Sequence, residues 1–284
     1  MLKFSCADYT FPVMERSAAL RLIKLLGVDY VDVGLFARSS HFSPIDLQSS
    51  PRDYTSRVLE DLKAAELQVS DLFVQIGVDP SESSANDPSS DVREKNRDTF
   101  SRSLELCVAL GCDHLTGLPG VFHSSSSRDR DFELAAEEAA RRVAKCAKAG
   151  IRYAIEPHVD SICADVRSAR RFVDAVEGLT LTLDYGHFIA VGESSAQVHE
   201  LLPFASHVHV RGGADGRLQT SVDENVIDFA GMLSRLRSLD YSGFLALEYV
   251  WVNWKECNRT DNVSETLLLR QSLESSASMM ASAK

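Results

Sequence analysis

YAIEPHV (153–159), LTLTLDYGHF (179–188), HVHVRGG (207–213) and FLALEYVW (244–251) are four apolar runs, each carrying an acid or an imidazole at or near its end. A strand covered on both faces is apolar almost throughout. A charged side chain closing such a run therefore marks where the strand emerges from the core. Glu156, Asp184, His209 and Glu248 hold these positions. Working outward, four similar runs precede them: LKFSC from residue 2, YVDVGLF from 30, VSDLFVQIG from 69 and HLTGLPGVF from 114.

Helical periodicity fills the intervals. Tyr54, Val58, Leu62 and Ala65 fall on one helical face, as do Phe100, Leu104, Cys107 and Val108. Phe132, Ala136, Ala139, Val143 and Ala147 make a third stripe, and Phe229, Leu233 and Leu236 a fourth. Gly27, Gly111, Gly150 and Gly178 stand where helices should end. Eight rounds of strand then helix predict a parallel α/β fold. The 284 residues are close to the ~250 of an eightfold barrel, which favours a (β/α)8 TIM barrel over an open sheet. No composition shift or linker divides it, so 1–284 is expected to be one domain.

Composition narrows the function. A net charge of −11 without a cluster of Lys and Arg argues against a nucleic-acid surface and suits a small polar substrate. The six cysteines (6, 107, 112, 146, 163 and 257) include no CxxC pair and are expected as reduced thiols in a cytoplasmic protein. MLKFSCADYTFPVMER lacks the apolar core of a signal peptide, and no run approaches the ~20 residues of a membrane helix. Two polar stretches, SESSANDPSSD (81–91) and HSSSSRDRD (123–131), follow the third and fourth strands. They are read as solvated connectors, with substrate-covering loops as the sharper alternative.

In a β/α barrel the chemistry gathers at the C-terminal ends of the strands. Burying a charge without a partner is costly. One shared cation would satisfy Glu156, Asp184, His209 and Glu248 together, whereas separate Lys or Arg partners would have to be found four times among apolar neighbours. Three carboxylates and an imidazole form an oxygen-rich set suited to Mn²⁺, Mg²⁺ or Co²⁺, with Zn²⁺ open; the lack of thiolates argues against structural zinc. One divalent ion, Mn²⁺ foremost, is expected there, with coordination sites left for substrate oxygens or water.

IEPH (155–158), LDYGHF (183–188), HVH (207–209) and LEYV (247–250), in this order, resemble the sugar isomerase/epimerase branch of the xylose-isomerase-like TIM barrels, and among them the ketose 3-epimerases. The resemblance covers almost the whole chain. It implies a metal-dependent isomerase or epimerase in which Glu156 and Glu248 flank the substrate. One removes a carbon-bound proton beside a carbonyl, and the other returns a proton to the opposite face of an enediolate. His187, three residues after Asp184, matches the family histidine that touches a substrate oxygen. Arg217 follows His209 by eight residues where the family's substrate arginine follows by six, and Arg211 competes for its task.

His158 lies two residues past Glu156 and shares its direction in an extended segment, either touching substrate or supporting Glu156. His207 should be a hydrogen-bonded core residue, and His123 a solvated one. Trp251 and Trp254 would pack on a sugar ring or form a contact between copies of the chain in a homo-oligomer. The alternatives are a metal-dependent lyase or dehydratase acting on an oxidised sugar or glycoside, and a non-catalytic metal-sugar binding subunit. The latter would not need two opposed bases. A repair endonuclease would need more metal ligands and a basic face. RGGADGR (211–217) offers too few cations for a phosphate, so a neutral sugar is expected.

Overall fold

The computed structural model describes residues 2–38 and 40–282. Its strands are β1 (Lys3–Ala7), β2 (Tyr30–Phe36), β3 (Gln68–Gln75), β4 (His114–Gly117), β5 (Arg152–Ile155), β6 (Thr180–Asp184), β7 (Ala205–Val210), β8 (Gly212–Ala214), β9 (Arg217–Thr220) and β10 (Phe244–Leu247). β1 to β7 and β10 close a parallel barrel, with β10 pairing back to β1 from Lys3–Phe244 to Cys6–Leu247. β8 and β9 form a separate antiparallel hairpin. Each of the eight apolar runs contributes one barrel strand, and the expected (β/α)8 architecture is present.

Around the barrel, the helix Pro51–Ala64 turns Tyr54, Val58 and Leu62 inward as its periodicity requires. Two helices depart in part from the expected faces. In Ser90–Ala109 Phe100, Leu104 and Cys107 are buried as expected, together with Thr99, Ser103 and Leu106, while Val108 is exposed. In Arg128–Lys148 the inner face holds Leu134, Ala135, Glu138, Ala139, Arg142 and Cys146, while Ala147 faces solvent. Hydrophobicity alone misplaces this face because Glu138 and Arg142 are buried with partners. Arg97 Nε donates to both Glu138 oxygens at 3.1 and 2.9 Å, and Arg142 donates to the Tyr153 hydroxyl at 3.1 Å. Both helices stop beside a left-handed glycine, Gly111 (φ 67°) and Gly150 (φ 74°).

The two polar stretches are not free connectors. Asn86 is fully buried; its amide donates to the carbonyls of Val121 and Asp131. Ser84 Oγ lies 3.0 Å from His123 Nε2, and Asp131 accepts the His123 N–H at 2.8 Å. The loops after β3 and β4 thus hold each other across the strand ends, and His123 is a tied, half-buried residue rather than a solvated one.

Inside the barrel, beneath the strand ends, lies a polar layer. His207 Nε2 donates to Asp32 Oδ2 at 2.6 Å, which is the core role expected of it, and Ser70 donates to Asp32 Oδ1 at 2.5 Å. His114 bridges Asp71 (2.6 Å) and Ser206 (2.7 Å). All six cysteines are buried and free. Among the described residues no helix is long and apolar enough to cross a membrane.

Candidate functional site

The barrel ladder itself sets the acids in place. Glu156 N–H donates to Gly117 O at 2.9 Å and Glu248 N–H to Val210 O at 3.0 Å, so both backbones stay hydrogen-bonded to the neighbouring strand. Asp184 ends β6 in register with His209 of β7. Alternation along β7 sends His207 and His209 inward, and Arg211 continues the same parity. All four expected ligands and Arg211 are buried, at 0 to 5% exposure.

His209 Nδ1 lies 2.6 Å from Glu156 Oε1 and 3.2 Å from Glu248 Oε1. Arg211 makes a close ion pair with Asp184 Oδ2 and lies 3.7 Å from Glu248 Oε2. Gly186 N–H donates to Asp184 Oδ1 at 2.7 Å, the N-cap bond of the short helix Tyr185–Ile189. That helix carries His187 to within 4.0 Å of Glu156 Oε2 and 3.5 Å of Asp184 Oδ2. Val159 N–H donates to His187 Nδ1 at 3.3 Å, which puts the ring proton of neutral His187 on Nε2. His158 donates from Nδ1 to Val159 O at 2.6 Å, leaving an Nε2 lone pair that no protein donor meets.

These groups form one wall of a cavity of about 320 Å³. Glu156, His158, His187, Arg211 and Glu248 supply the polar side. Tyr9, Phe36 and Phe73, from the β1–β3 side, supply an aromatic one, with ring centroids 4.8 to 6.3 Å apart. Asp79 and Pro80, just before the first polar stretch, and Trp254 also line it.

The two glutamates have opposite proton affinities. Burial, reinforced by the charge of Glu248, pushes Glu156 up to about 7. Against the same upward push of burial, His209 and Arg211 hold Glu248 below the usual carboxylate range. Burial raises Asp184 despite Arg211. His209 is raised well above an ordinary histidine because Glu248, Asp32 and Glu156 together outweigh its desolvation. Burial lowers His158 to about 4, and burial with Arg211 lowers His187 strongly, so both rings are neutral at physiological pH.

A divalent ion fits this donor set. Glu156, His209 and Glu248 offer ligand atoms within 4.8 Å of one another, as do Glu156, Asp184 and His187. Three carboxylates face two cationic groups, His209 and Arg211. Glu248 Oε2 is buried without a hydrogen-bond partner. Glu156, Asp184, His209 and Glu248 would hold the ion.

The structure thus brings together Glu156, Asp184, His209, Glu248, His187, His158 and Arg211. It does not bring Arg217 or Trp251 to them, which corrects two expectations. Arg217 opens β9 on the outer hairpin, with its side chain 51% exposed and paired to Glu224 at 2.9 Å. Trp251 is half-exposed in a separate groove beside Thr10–Met14 and Asn258–Val263, whereas Val252 and Trp254 after it line the cavity. Sequence reasoning missed Tyr9, whose hydroxyl bonds Glu248, and Asp32, which lies 3.5 Å from His209 Nε2. Asp32 did leave a signal, an acid in the middle of the apolar run YVDVGLF.

The chain resembles several solved structures at low sequence identity. It is similar to L-ribulose 3-epimerase (15% identity, TM-score 0.76, covering 100% of this chain and 98% of that one). It is similar to an AP endonuclease of family 2 from Brucella melitensis (19%, 0.71, 93% and 96%). The probable 3-DHS dehydratase AsbF of Bacillus anthracis petrobactin synthesis is a third (14%, 0.69, 95% and 99%). Such identities speak for the fold, and the three names carry three different chemistries. No curated protein sequence matches the chain. The family model of the xylose isomerase-like TIM barrel matches residues 20–275, nine-tenths of the sequence. With its eight parallel strands closed and its acids gathered at one rim, the chain belongs to the xylose isomerase-like TIM barrel family.

Proposed function

We propose that the protein is a divalent-metal-dependent isomerase or epimerase acting on a small polar sugar-like substrate by proton transfer through an enediolate. One observation carries the reading: two buried glutamates line one cavity beside a donor set that fits a divalent ion. Such pairs divide the roles of base and acid between them.

Glu248, beside His209 and oriented by the Tyr9 hydroxyl, is the group placed to take a carbon-bound proton. Glu156, which lines the same cavity, is the group placed to return one. A bound divalent ion would supply the polarisation that acidifies a C–H bond beside a carbonyl. His187 presents its Nε2 proton toward Glu156 and Asp184 as a donor for a substrate oxygen. His158 offers its Nε2 lone pair to a substrate hydroxyl. The aromatic wall of Tyr9, Phe36 and Phe73 keeps water from the reacting carbon.

β-Elimination on an oxidised sugar is the second reading, and His158 supports it. A neutral, buried imidazole with a free lone pair is a base outside the glutamate pair. One assay separates the two: keto-sugars and their oxidised glycosides incubated with protein and Mn²⁺ in deuterated water. The proposal expects deuterium beside the carbonyl with the carbon skeleton intact, and no exchange in Glu156→Gln or Glu248→Gln. An unsaturated product would select the lyase. A panel with neither exchange nor elimination would sink both.

A further inference from the structure

Arg211 is 3% exposed, and its guanidinium stands on the coordinating side of two expected metal ligands. It contacts Asp184 Oδ2 and lies 3.7 Å from Glu248 Oε2. These are the oxygens left over by the other contacts: Asp184 Oδ1 accepts the Gly186 N–H at 2.7 Å, and Glu248 Oε1 accepts the Tyr9 hydroxyl at 2.8 Å. Glu248 Oε2 has no hydrogen-bond partner.

The guanidinium is only partly satisfied there. One nitrogen engages Asp184, where a fork-to-fork pair would use two, and Nε has no partner. The same nitrogen lies 3.2 Å from His187 Nε2, which carries the ring proton, so two donors face each other. This is a cation held by charge more than by fit. A divalent ion reaching the same oxygens would meet it at close range in a site shielded from water, where repulsion is strong.

We propose that Arg211 is an internal competitor for the metal. Its guanidinium neutralises Asp184 and Glu248 in the metal-free protein, and it must leave their free oxygens when a divalent ion is loaded. The arrangement keeps the empty barrel stable and raises the affinity threshold for every ion equally. This inference rests on the assignment of Glu156, Asp184, His209 and Glu248 as metal ligands.

The test is calorimetric titration of chelator-stripped, full-length protein with MnCl2, comparing wild type, Arg211→Met and Arg211→Lys. Arg211→Met is expected to bind Mn²⁺ at least about tenfold more tightly, and Arg211→Lys, which keeps the charge, within about threefold of wild type. Metal-free Arg211→Met should also melt below wild type and gain more in Tm from Mn²⁺. Should Arg211→Met fail to fold without metal, Arg211→Gln carries the same comparison, with tighter binding again expected. Binding by a neutral variant alone is competition at its extreme and supports the proposal. Wild-type binding that no neutral variant tightens overturns it and leaves the metal ligands standing. No binding by any of these proteins overturns the metal assignment, and this inference with it.

Discussion

The Tyr9 hydroxyl donates a 2.8 Å hydrogen bond to Glu248 Oε1, joining the turn after β1 to the end of β10 across 239 positions of sequence. Tyr9 is buried between Phe36 and Phe73, and burial together with the charge of Glu248 raises its pKa well above that of an ordinary tyrosine. The hydroxyl is therefore a fixed donor throughout the working pH range. It orients the carboxylate without competing for a proton.

Tyr9→Phe keeps the aromatic packing and deletes this donor. A hydrogen bond to a charged group contributes about 1.5–3 kcal/mol, so kcat should fall roughly 10- to 100-fold. Metal content should stay at the wild-type level, because Glu248 Oε2, His209 and the other acids are untouched. Turnover of the substrate found by the exchange screen, paired with elemental analysis, checks both halves. A fully active Tyr9→Phe enzyme would show that Glu248 needs no orientation from β1.

Asp32 acts from behind the site. Its Oδ2 accepts from His207 at 2.6 Å and lies 3.5 Å from His209 Nε2, on the ring edge opposite the glutamates. Against burial, the two histidines hold Asp32 well below the usual carboxylate range, so it is charged. A carboxylate there favours a proton on His209 Nε2 and leaves Nδ1 to face the metal ligands. Asp32→Asn keeps the shape and removes the charge. Metal affinity should fall by about 10- to 100-fold, as measured by titration of the stripped protein. Affinity equal to wild type would mean that the polar layer beneath the site serves packing alone.

The fold and the acids were legible for one physical reason. Strands buried on both faces carry few charges away from their ends, so Glu156, Asp184, His209 and Glu248 stood out against their apolar neighbours. What periodicity could not show was any buried charge whose partner is distant in sequence. Glu138 and Arg142 turned the inner face of their helix away from its hydrophobic stripe for this reason. Tyr9 sits in ADYT without any local mark of the acid it meets at the other end of the chain. Arg211 and Arg217 look equivalent in RGGADGR. Only the strand parity of β7 and the outward course of the β8–β9 hairpin separate the buried one from the exposed one.

Glu156 links metal binding to pH. In the metal-free protein its carboxyl is pushed up to about 7, first by burial and then by Glu248. A cation needs the carboxylate, so below that pH a proton must leave before the ion is held. Apparent affinity for Mn²⁺ should therefore climb by up to roughly a hundredfold per unit below about 7, where Glu156 and His209 each lose a proton to the ion, and by up to roughly tenfold per unit above it, where His209 alone does. Titrations between about pH 5.5 and 8 in buffers of different ionisation enthalpy would count the released protons. Glu156→Gln should bind more weakly and lose the extra steepness below about pH 7, keeping only the His209 slope. A steepening below about 7 that survives in Glu156→Gln would assign that proton elsewhere.

The last expectation concerns the charge of the substrate. A phosphate dianion needs several donors, with bidentate arginine the strongest among them. Arg217 is spent on Glu224 outside the cavity, and Arg211 is a single arginine on its polar wall. Arg38 lines the mouth, but Asp79 lines the same mouth with the opposite sign. The rest of the wall is aromatic and aliphatic, from Tyr9, Phe36 and Phe73 to Val250 and Trp254. Such a surface accepts the apolar face of a neutral ring and offers nothing to replace the hydration of a phosphate. Matched neutral and phosphorylated sugars compared by kcat/KM should therefore favour the neutral one by at least about tenfold, the loss expected when even one charged group is desolvated without a full set of partners. Arg217→Ala should leave both values unchanged. A preference for the phosphate ester that disappears in Arg38→Ala would place the phosphate at the mouth of the cavity and reverse this reading.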